Sequence, residues 1–412
     1  MRSLVRLSMV VVIASALGAD WKQFRGPGGQ GVSGETNLPA TWSDNENLAW
    51  KVPLPGYGAS SPITLGGRVY VTCYSGYAVE GAESADLDDL QRHVVCLDQA
   101  TGRIHWNKTV EVKPGESKRV RDHGYAGGTP VTDGEKLYVF FGRGGVFAFD
   151  LDGNQLWDTE VGTGVHGWGS ATSPVLYKDF VIVNASIESN SLVALDKRTG
   201  KEVWRVAGMR RSWSTPLLVD TPGGKQELVV SVHSRILGFD PANGEELWSC
   251  AGIQDYVCPS VVSKNGVVFA IGGRRATAIA VRAGGRGDVT ESHKLWEKAV
   301  GSNVTSPVIQ GDHLYWVSHR GIAYCLKLAD GEEVYRERIN IGRVYASATA
   351  ADGKLYVVSR QRGAVVLAAK PEFEQLAHNK LDDDSIFNAS PAISGGKLFV
   401  RSDKHLYCIV NK

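Results

Sequence analysis

A Ser/Thr-Pro step followed by an apolar alternation recurs along this chain, at Ser61-Pro62, Thr129-Pro130, Ser173-Pro174, Thr215-Pro216, Ser306-Pro307 and Ser390-Pro391. Degenerate copies fall at Pro259-Ser260 and Ala348-Thr349, and from Pro130 onward the interval is roughly 41 to 48 residues. Each copy has the same second half. A Gly-rich turn leads to an alternating strand such as Lys136-Leu137-Tyr138-Val139-Phe140, and a second strand ends in Leu-Asp or Phe-Asp, as at Leu97-Asp98, Phe149-Asp150, Leu195-Asp196 and Phe239-Asp240. A Thr-Gly or Asn-Gly turn then leads to a tryptophan: Trp106, Trp157, Trp204, Trp248 and Trp296, with Tyr335 in the sixth copy and no aromatic in the seventh.

Period-2 alternation punctuated by Gly turns specifies four strands per repeat. One such sheet cannot bury both of its faces, so successive sheets must stack, and radial stacking gives a propeller. The fold predicted is all-β: an eight-bladed propeller of four-stranded antiparallel blades, with the repeating tryptophan as a wedge between blades. The eighth copy reaches Lys412 after its third strand, while Asn47-Leu48-Ala49-Trp50-Lys51 is an unassigned strand at the front. The strand near Trp50 is therefore expected to complete the last blade and close the ring.

Arg2 and Arg6 precede an apolar stretch from Leu7 to Leu17, and Ala16-Leu17-Gly18 offers small residues for cleavage. This reads as a signal peptide over 1–19, followed by an N-terminal extension over 20–46 and a single propeller domain over 47–412. No run approaches the roughly 20 apolar residues of a membrane span. Removing the segment lowers Lys+Arg from 45 to 43 against 44 Asp+Glu, so the processed chain is near −1. That balance argues against a nucleic-acid partner, which would need a basic surplus.

The Asp-x-x-Thr-Gly-x-x-x-Trp repeats resemble those of the pyrroloquinoline-quinone (PQQ) repeat propellers, a superfamily that includes quinoprotein dehydrogenases and the BamB outer-membrane assembly factor. The opening Trp21-Lys22-Gln23-Phe24-Arg25-Gly26-Pro27, with Leu38-Pro39, Trp42-Ser43 and Ala49-Trp50-Lys51-Val52-Pro53, is similar to a bacterial group of exported PQQ-like proteins. The resemblance covers the whole processed chain and is specific for fold. It is much less specific for activity, because one fold hosts many.

In a four-stranded blade, the loop leading into the inner strand and the turn between the second and third strands lie on one face of the disc. The loops offer Tyr57, His123, Tyr125, His166, Trp168, Arg211, Trp213, Asp255, Tyr256, Asn303, Arg343, Tyr345 and Asn388. The turns add Arg143, Arg235, Arg274, Arg275, Arg320, Arg360, Arg362, Arg401 and Lys404, and in blades 2 and 4 to 8 they hold one acid, Asp403. Two readings follow: cations that keep turns soluble, or a positive, aromatic-rich face suited to a carboxylate, a phosphate or an acidic partner segment. The corresponding turn of blade 1 is expanded from Tyr74 to Arg92 and carries Glu80, Glu83, Asp86, Asp88 and Asp89. It reads as a lid, a part of the binding rim or a solvated insertion.

Cys96, Cys325 and Cys408 occupy equivalent third-strand positions and read as small core residues, whereas Cys250 and Cys258 are the candidate disulfide. The repeated aspartates precede turns in register and read as acceptors of main-chain hydrogen bonds. Asp150-Leu151-Asp152-Gly153-Asn154 lacks the distal bidentate Glu of a calcium loop, so no metal site is predicted. No catalytic set can be assembled. The leading expectation is an exported, monomeric, non-catalytic scaffold without a cofactor, binding a protein segment or small anionic ligand on its Arg/aromatic face. The alternative implied by the resemblance is a PQQ-dependent oxidoreductase of alcohols or sugars using Ca²⁺, with Trp213, Asp255, Asn303 and Arg343 nominated for its site. Adjacent cysteines, which many quinoprotein alcohol dehydrogenases place against PQQ, are missing. No cysteine follows the first apolar stretch, unlike BamB, so the protein is expected to be periplasmic or extracellular and not a lipoprotein.

Overall fold

The computed structural model describes residues 19–81 and 86–412. The signal segment, apart from Ala19, and Glu83 of the acidic turn lie outside the described residues. Eight antiparallel sheets are arranged as the blades of a propeller, the first built from Ile63–Leu65, Arg68–Ser75, Gln91–Asp98 and Ile104–Val110. Blade 8 consists of Ala392–Ser394, Lys397–Arg401 and His405–Val410, completed by Leu48–Pro53. That front strand pairs with the last one in the register Trp50 to Cys408 and Val52 to Leu406, which closes the ring where the sequence places it.

At the axis, each blade hands a hydrogen bond to the next. The amide of Ser61 donates to Thr129 Oγ1 at 2.9 Å, Thr129 to Ser173 Oγ at 3.0 Å, and Ser173 to Thr215 Oγ1 at 3.0 Å. The series runs on through Ser260, Ser306, Ser347 and Ser390, and the amide of Ser390 donates to Ser61 Oγ at 3.1 Å. The Ser/Thr-Pro steps of the sequence are this ring. In blade 7 the member is Ser347 and not the Ala348-Thr349 step, and in blade 5 it is Ser260, with Pro259 before it instead of after.

The apolar core lies at the seams between blades. Clusters join blades 2 and 3, 3 and 4, 4 and 5, 5 and 6, and 6 and 7, and a larger one runs from blade 7 through 8 and 1 to 2. At the rim the tryptophans bridge the same seams. Indole N–H groups of Trp50, Trp106, Trp157 and Trp296 donate to carbonyls of the following blade, those of Gln99, Leu151, Lys197 and Leu328. Each ring lies against the glycine of that blade's turn. A Cβ on Gly200, which has φ +72°, would meet Trp157 at 2.6 Å, so this contact and the left-handed backbone both demand glycine. The aspartates act as predicted: Asp98 Oδ1 accepts from the amides of Ala100 and Thr101 and from the Thr101 hydroxyl.

Trp248 departs from this pattern. The connection between the last two strands of blade 5 carries Gly287–Asp288 as a parallel fifth strand on blade 4 and a short helix, Thr290–His293. Under this insertion Trp248 is fully buried, and its indole donates to Glu227 Oε2 at 2.7 Å. Buried Glu227 also accepts from the amide of Gly284 and pairs with Arg286 at 3.4 Å.

The cysteines are unpaired. Cys250 lies on the outer strand of blade 4 and turns its thiol to Ala251 O at 3.5 Å, whereas Cys258 leads into the inner strand of the next sheet, blade 5. Both are free, which corrects the expectation of a Cys250–Cys258 bridge.

Residues 20–46, which sequence patterning leaves as an extension, cross the disc face opposite the loops described below. Trp21 pairs with Thr64 of blade 1, Lys22 O accepts from Thr132 of blade 2, Val32 bridges to Ala350 of blade 7, and Glu35 caps Gly395 of blade 8. Arg25 is buried and donates to Pro307 O of blade 6 at 2.5 Å, and burial lowers its pKa to about 9. Phe24, beside it, reaches the axis from below.

Two stability predictions follow from these seams. Trp248→Ala should cost roughly 3 to 5 kcal/mol in reversible denaturation, because it empties a buried indole site and removes one of the donors to buried Glu227; a cost under about 1 kcal/mol would contradict the wedge role. Deleting residues 45–52 should unfold or oligomerise the protein by opening an edge on His405–Val410. A stable monomer in size-exclusion chromatography with light scattering would contradict ring closure by that strand.

Candidate functional site at the axial mouth

The loops leading into the inner strands bring seven of the residues predicted from sequence around one cavity of about 300 Å³ on the axis: His123, Trp168, Trp213, Tyr256, Asn303, Tyr345 and Asn388. Its floor is the hydroxyl ring with Phe24 of the extension. Neighbouring loops are zipped together, since Trp213 N donates to Val257 O and Val257 N to Arg211 O. One wall is aromatic. Trp168 stands with its ring centre 4.6 Å from Tyr256 and 5.3 Å from Trp213, and Trp213 Nε1 donates to Gly169 O at 2.7 Å.

The opposite wall is polar. Arg360 pairs with Asp122 at 3.1 Å and lies over the Tyr345 ring at 4.4 Å, while Asn388 Nδ2 donates to Asp122 O at 2.6 Å. Asn303 Nδ2 donates to the Tyr256 hydroxyl at 2.6 Å. The Oδ1 atoms of Asn303 and Asn388 are buried and have no hydrogen-bond partner among the described residues, whereas the His123 ring lies beside the Ser170 backbone. Burial lowers the His123 pKa to about 4, leaving its ring neutral, and raises that of the Cys258 thiol to about 12.

The remaining loop residues lie elsewhere. Tyr57 stacks edge-on against Tyr74 beside Glu80, and Tyr125 is buried with its hydroxyl on Ser117 O, which removes it from the predicted face. His166 packs on Trp168 and Trp213 at the rim; burial lowers its pKa and nearby Arg211 lowers it further. Burial favours protonation of Asp255, yet bonds from the Arg274 side chain and amide hold it down at about 2.

The uniformly positive face needs correction. Arg143 pairs with Glu160 at 3.0 Å, Arg235 with Glu246 at 2.5 Å, Arg274 with Asp255 at 3.0 Å, and Lys404 with Glu80 at 2.9 Å. Acids contributed by other strands and loops thus neutralise cations that look unopposed along the turns. Arg401 is wholly buried, donating to Ser60 O at 2.9 Å and to the Cys73 sulfur, so it stabilises the seam of blades 8 and 1. Asp403 is pushed up to about 6 by burial, opposed by Arg401 and Arg360. Arg275, Arg320, Arg343 and Arg362 make no ion pair among the described residues. Glu80, with Tyr57 and Lys404 as neighbours, ties the acidic turn to blade 8.

Behind the mouth, buried Glu188 accepts from the Ser170 hydroxyl through Oε1 while Oε2 has no partner among the described residues. Burial raises its pKa from 4.5 to about 7, opposed by the bond from Ser170. The folded state therefore holds a proton that the unfolded chain has lost between those values, and stability falls as pH rises through that window. Glu188→Gln keeps the bond and removes the titration. It should stabilise the protein at pH 8 by roughly 3 kcal/mol and change little below about pH 4.5, read as paired denaturation midpoints at the two pH values; an equal effect at both would contradict it.

The family profile described as outer membrane protein assembly factor BamB matches residues 90–337, more than half of the chain. No curated protein sequence matches. Among solved structures, BamB from Moraxella catarrhalis superposes with a TM-score of 0.63 at 14% identity, covering 89% of this chain and 97% of that one. The computationally designed protein Ika8 gives 0.61 at 14% identity over 87% and 98% of the two chains. Quinohemoprotein alcohol dehydrogenase ADHIIG from Pseudomonas putida HK5 gives 0.51 at 12% identity over 85% and 76%. At these identities the superpositions establish the eight-bladed fold alone. The expectation that the protein is not a lipoprotein is corrected by the profile match: a missing cysteine after the first apolar stretch does not stand against a family described by its outer-membrane role. No helix among the described residues is long and apolar enough to cross a membrane. By the extent of the profile match, the chain belongs to the BamB family of outer membrane protein assembly factors.

Proposed function

We propose that this protein is a binding scaffold whose rigid disc presents the axial cavity to a protein segment. The observation that carries this reading is the lining: the rings of Trp168, Trp213 and Tyr256, together with Asn303 and Asn388, whose buried Oδ1 atoms have no partner among the described residues. Amide oxygens accept, so a fitting ligand brings N–H or O–H donors, and a polypeptide carries one main-chain N–H on nearly every residue. An unpaired buried acceptor costs about 1 to 3 kcal/mol, which a donating ligand recovers. Trp168, Trp213 and Tyr256 are residue types that anchor interfaces by desolvation. The family description, an assembly factor for outer membrane proteins, favours a protein ligand over a free small anion.

The quinoprotein alternative finds less support. Of the four residues nominated for PQQ and its calcium, Trp213 and Asn303 line the cavity, whereas Asp255 is engaged by Arg274 and Arg343 lies in a neighbouring groove. The four nominated residues are thus divided between the cavity, an ion pair and the groove. Among the described residues no group of three His, Cys, Asp or Glu side chains is placed to share a metal ion.

Peptides selected from a displayed random library on the purified protein should lose at least about tenfold in affinity to a Trp168→Ala/Tyr256→Ala variant. Peptides that bind both forms equally would overturn the cavity as the site. Titration with PQQ and Ca²⁺ should give no saturable binding at tens of micromolar and no dye-linked oxidation of alcohols or sugars. Tight binding with turnover would reverse the assignment.

A further inference from the structure

Beside the axial mouth, a groove of about 920 Å³ runs between blades 6 and 7. Arg320 comes from the turn after His313–Val317, Arg338 from the end of Glu333–Arg338, Arg343 from the loop into Thr349–Ala351, and Arg362 from the turn after Lys354–Val358. All four are exposed, and none makes an ion pair among the described residues. Their bonds are to neutral groups: Arg338 Nη1 donates to Arg320 O at 3.4 Å and Arg362 Nη1 to Asn340 Oδ1 at 3.0 Å. His319, on the same wall, feels the field: burial depresses its pKa, and Arg320 and Arg343 depress it further.

Elsewhere on the face Arg143, Arg235, Arg274, Arg360 and Lys404 each meet a carboxylate and Arg275 stands singly without one, whereas here four such arginines share one groove. The loops carrying the arginines are held fixed. Ile339 N donates to Gly321 O, Val344 N to His319 O, and Arg360 N to Arg343 O. At its inner end the groove meets the cavity, because Tyr345 lines both and the Asn303 amide donates to His319 Nδ1.

We propose that this four-arginine groove docks an acidic polypeptide segment whose end enters the axial cavity. The inference rests on the binding-scaffold reading and adds the chemistry of the partner. A guanidinium is built for bidentate carboxylate contact, and four of them spread over two blades match several acidic side chains in succession. A free phosphate would use a compact set of converging buried donors, and these arginines are exposed and dispersed. A polypeptide also supplies the N–H donors that the adjoining cavity lacks, which an inorganic anion does not.

The test is fluorescence anisotropy of a labelled oligoglutamate peptide ending in tryptophan, titrated with the full chain. Binding should weaken at least about tenfold between about 50 and about 300 mM salt. The Arg320→Glu/Arg343→Glu variant, and independently Arg338→Glu/Arg362→Glu, should each lose at least about tenfold, while Arg275→Glu, an exposed arginine outside the groove, should change affinity less than about twofold. Circular dichroism melts confirm that each variant is folded. Equal losses for Arg275→Glu, or no loss for either groove variant, would overturn the groove. So would inorganic phosphate or pyrophosphate displacing the peptide at equimolar concentration. If Trp168→Ala alone abolishes binding while both groove variants bind normally, the groove is refuted and the cavity reading stands; loss in the groove variants with none in Trp168→Ala leaves the groove and refutes the cavity.

Discussion

Eight main-chain amides lie around the axis of this protein at the points where the inner strands begin, and none of them has a strand partner on its open side. In six blades the next residue is proline, which has no N–H and keeps the preceding backbone extended. The amide of the Ser or Thr before it then points sideways into the neighbouring blade, where the equivalent hydroxyl accepts it. Each residue is donor through its amide and acceptor through its side chain, so the ring is satisfied only when it closes. Ser390 to Ser61 closes it between the last blade and the first. The same hydroxyls floor the cavity and keep it narrow enough to hold a ligand against its walls.

The rim obeys a second rule of the same kind. A turn glycine at positive φ accepts the indole of the blade before it, and a turn carbonyl accepts that indole's N–H. The aspartate that opens the turn ties up its amides, leaving the turn rigid enough to be a docking surface for tryptophan. Axis and rim together hold each blade at two radii. The loops on the mouth face therefore inherit a fixed geometry, which is why short loop segments of several blades can share one cavity.

The repeats made the fold legible, because every strand, turn and wedge recurs at one spacing and the periodicity is local. The face was legible as a set of positions and illegible as a set of contacts. Arg143 and Glu160 are 17 residues apart along the chain and meet at 3.0 Å, and Lys404 meets Glu80 from the far end of the sequence; spacing within a turn carries no information about either. Arg401 looked like any turn arginine, and only the fold puts it in the seam against Ser60 and Cys73. Degeneracy blurred one register: Ser347 is followed by alanine instead of proline, so the more conspicuous Thr349 drew attention two residues too far. The extension left the clearest unused signal. An arginine between aromatic and glycine residues, in Phe24-Arg25-Gly26, fits a chain packed closely against another surface, and Arg25 is indeed buried under blade 6.

The extension also contributes to the cavity. Phe24 lines the cavity from the side of the extension, opposite the loops that carry Trp168, Trp213 and Tyr256. On the loop face Arg143, Arg274 and Arg360 each meet a carboxylate, whereas Arg320, Arg338, Arg343 and Arg362 gather without one in a single sector that adjoins the cavity through Tyr345. The two regions ask for different things. The cavity holds acceptors in want of donors, and the groove holds cations in want of carboxylates. Desolvation at the aromatic wall rewards shape, whereas the exposed arginines act at longer range and are screened by salt. A ligand that satisfies both in sequence is drawn in by charge and retained by burial, a division of labour that a closed, rigid propeller can support because neither region has to move.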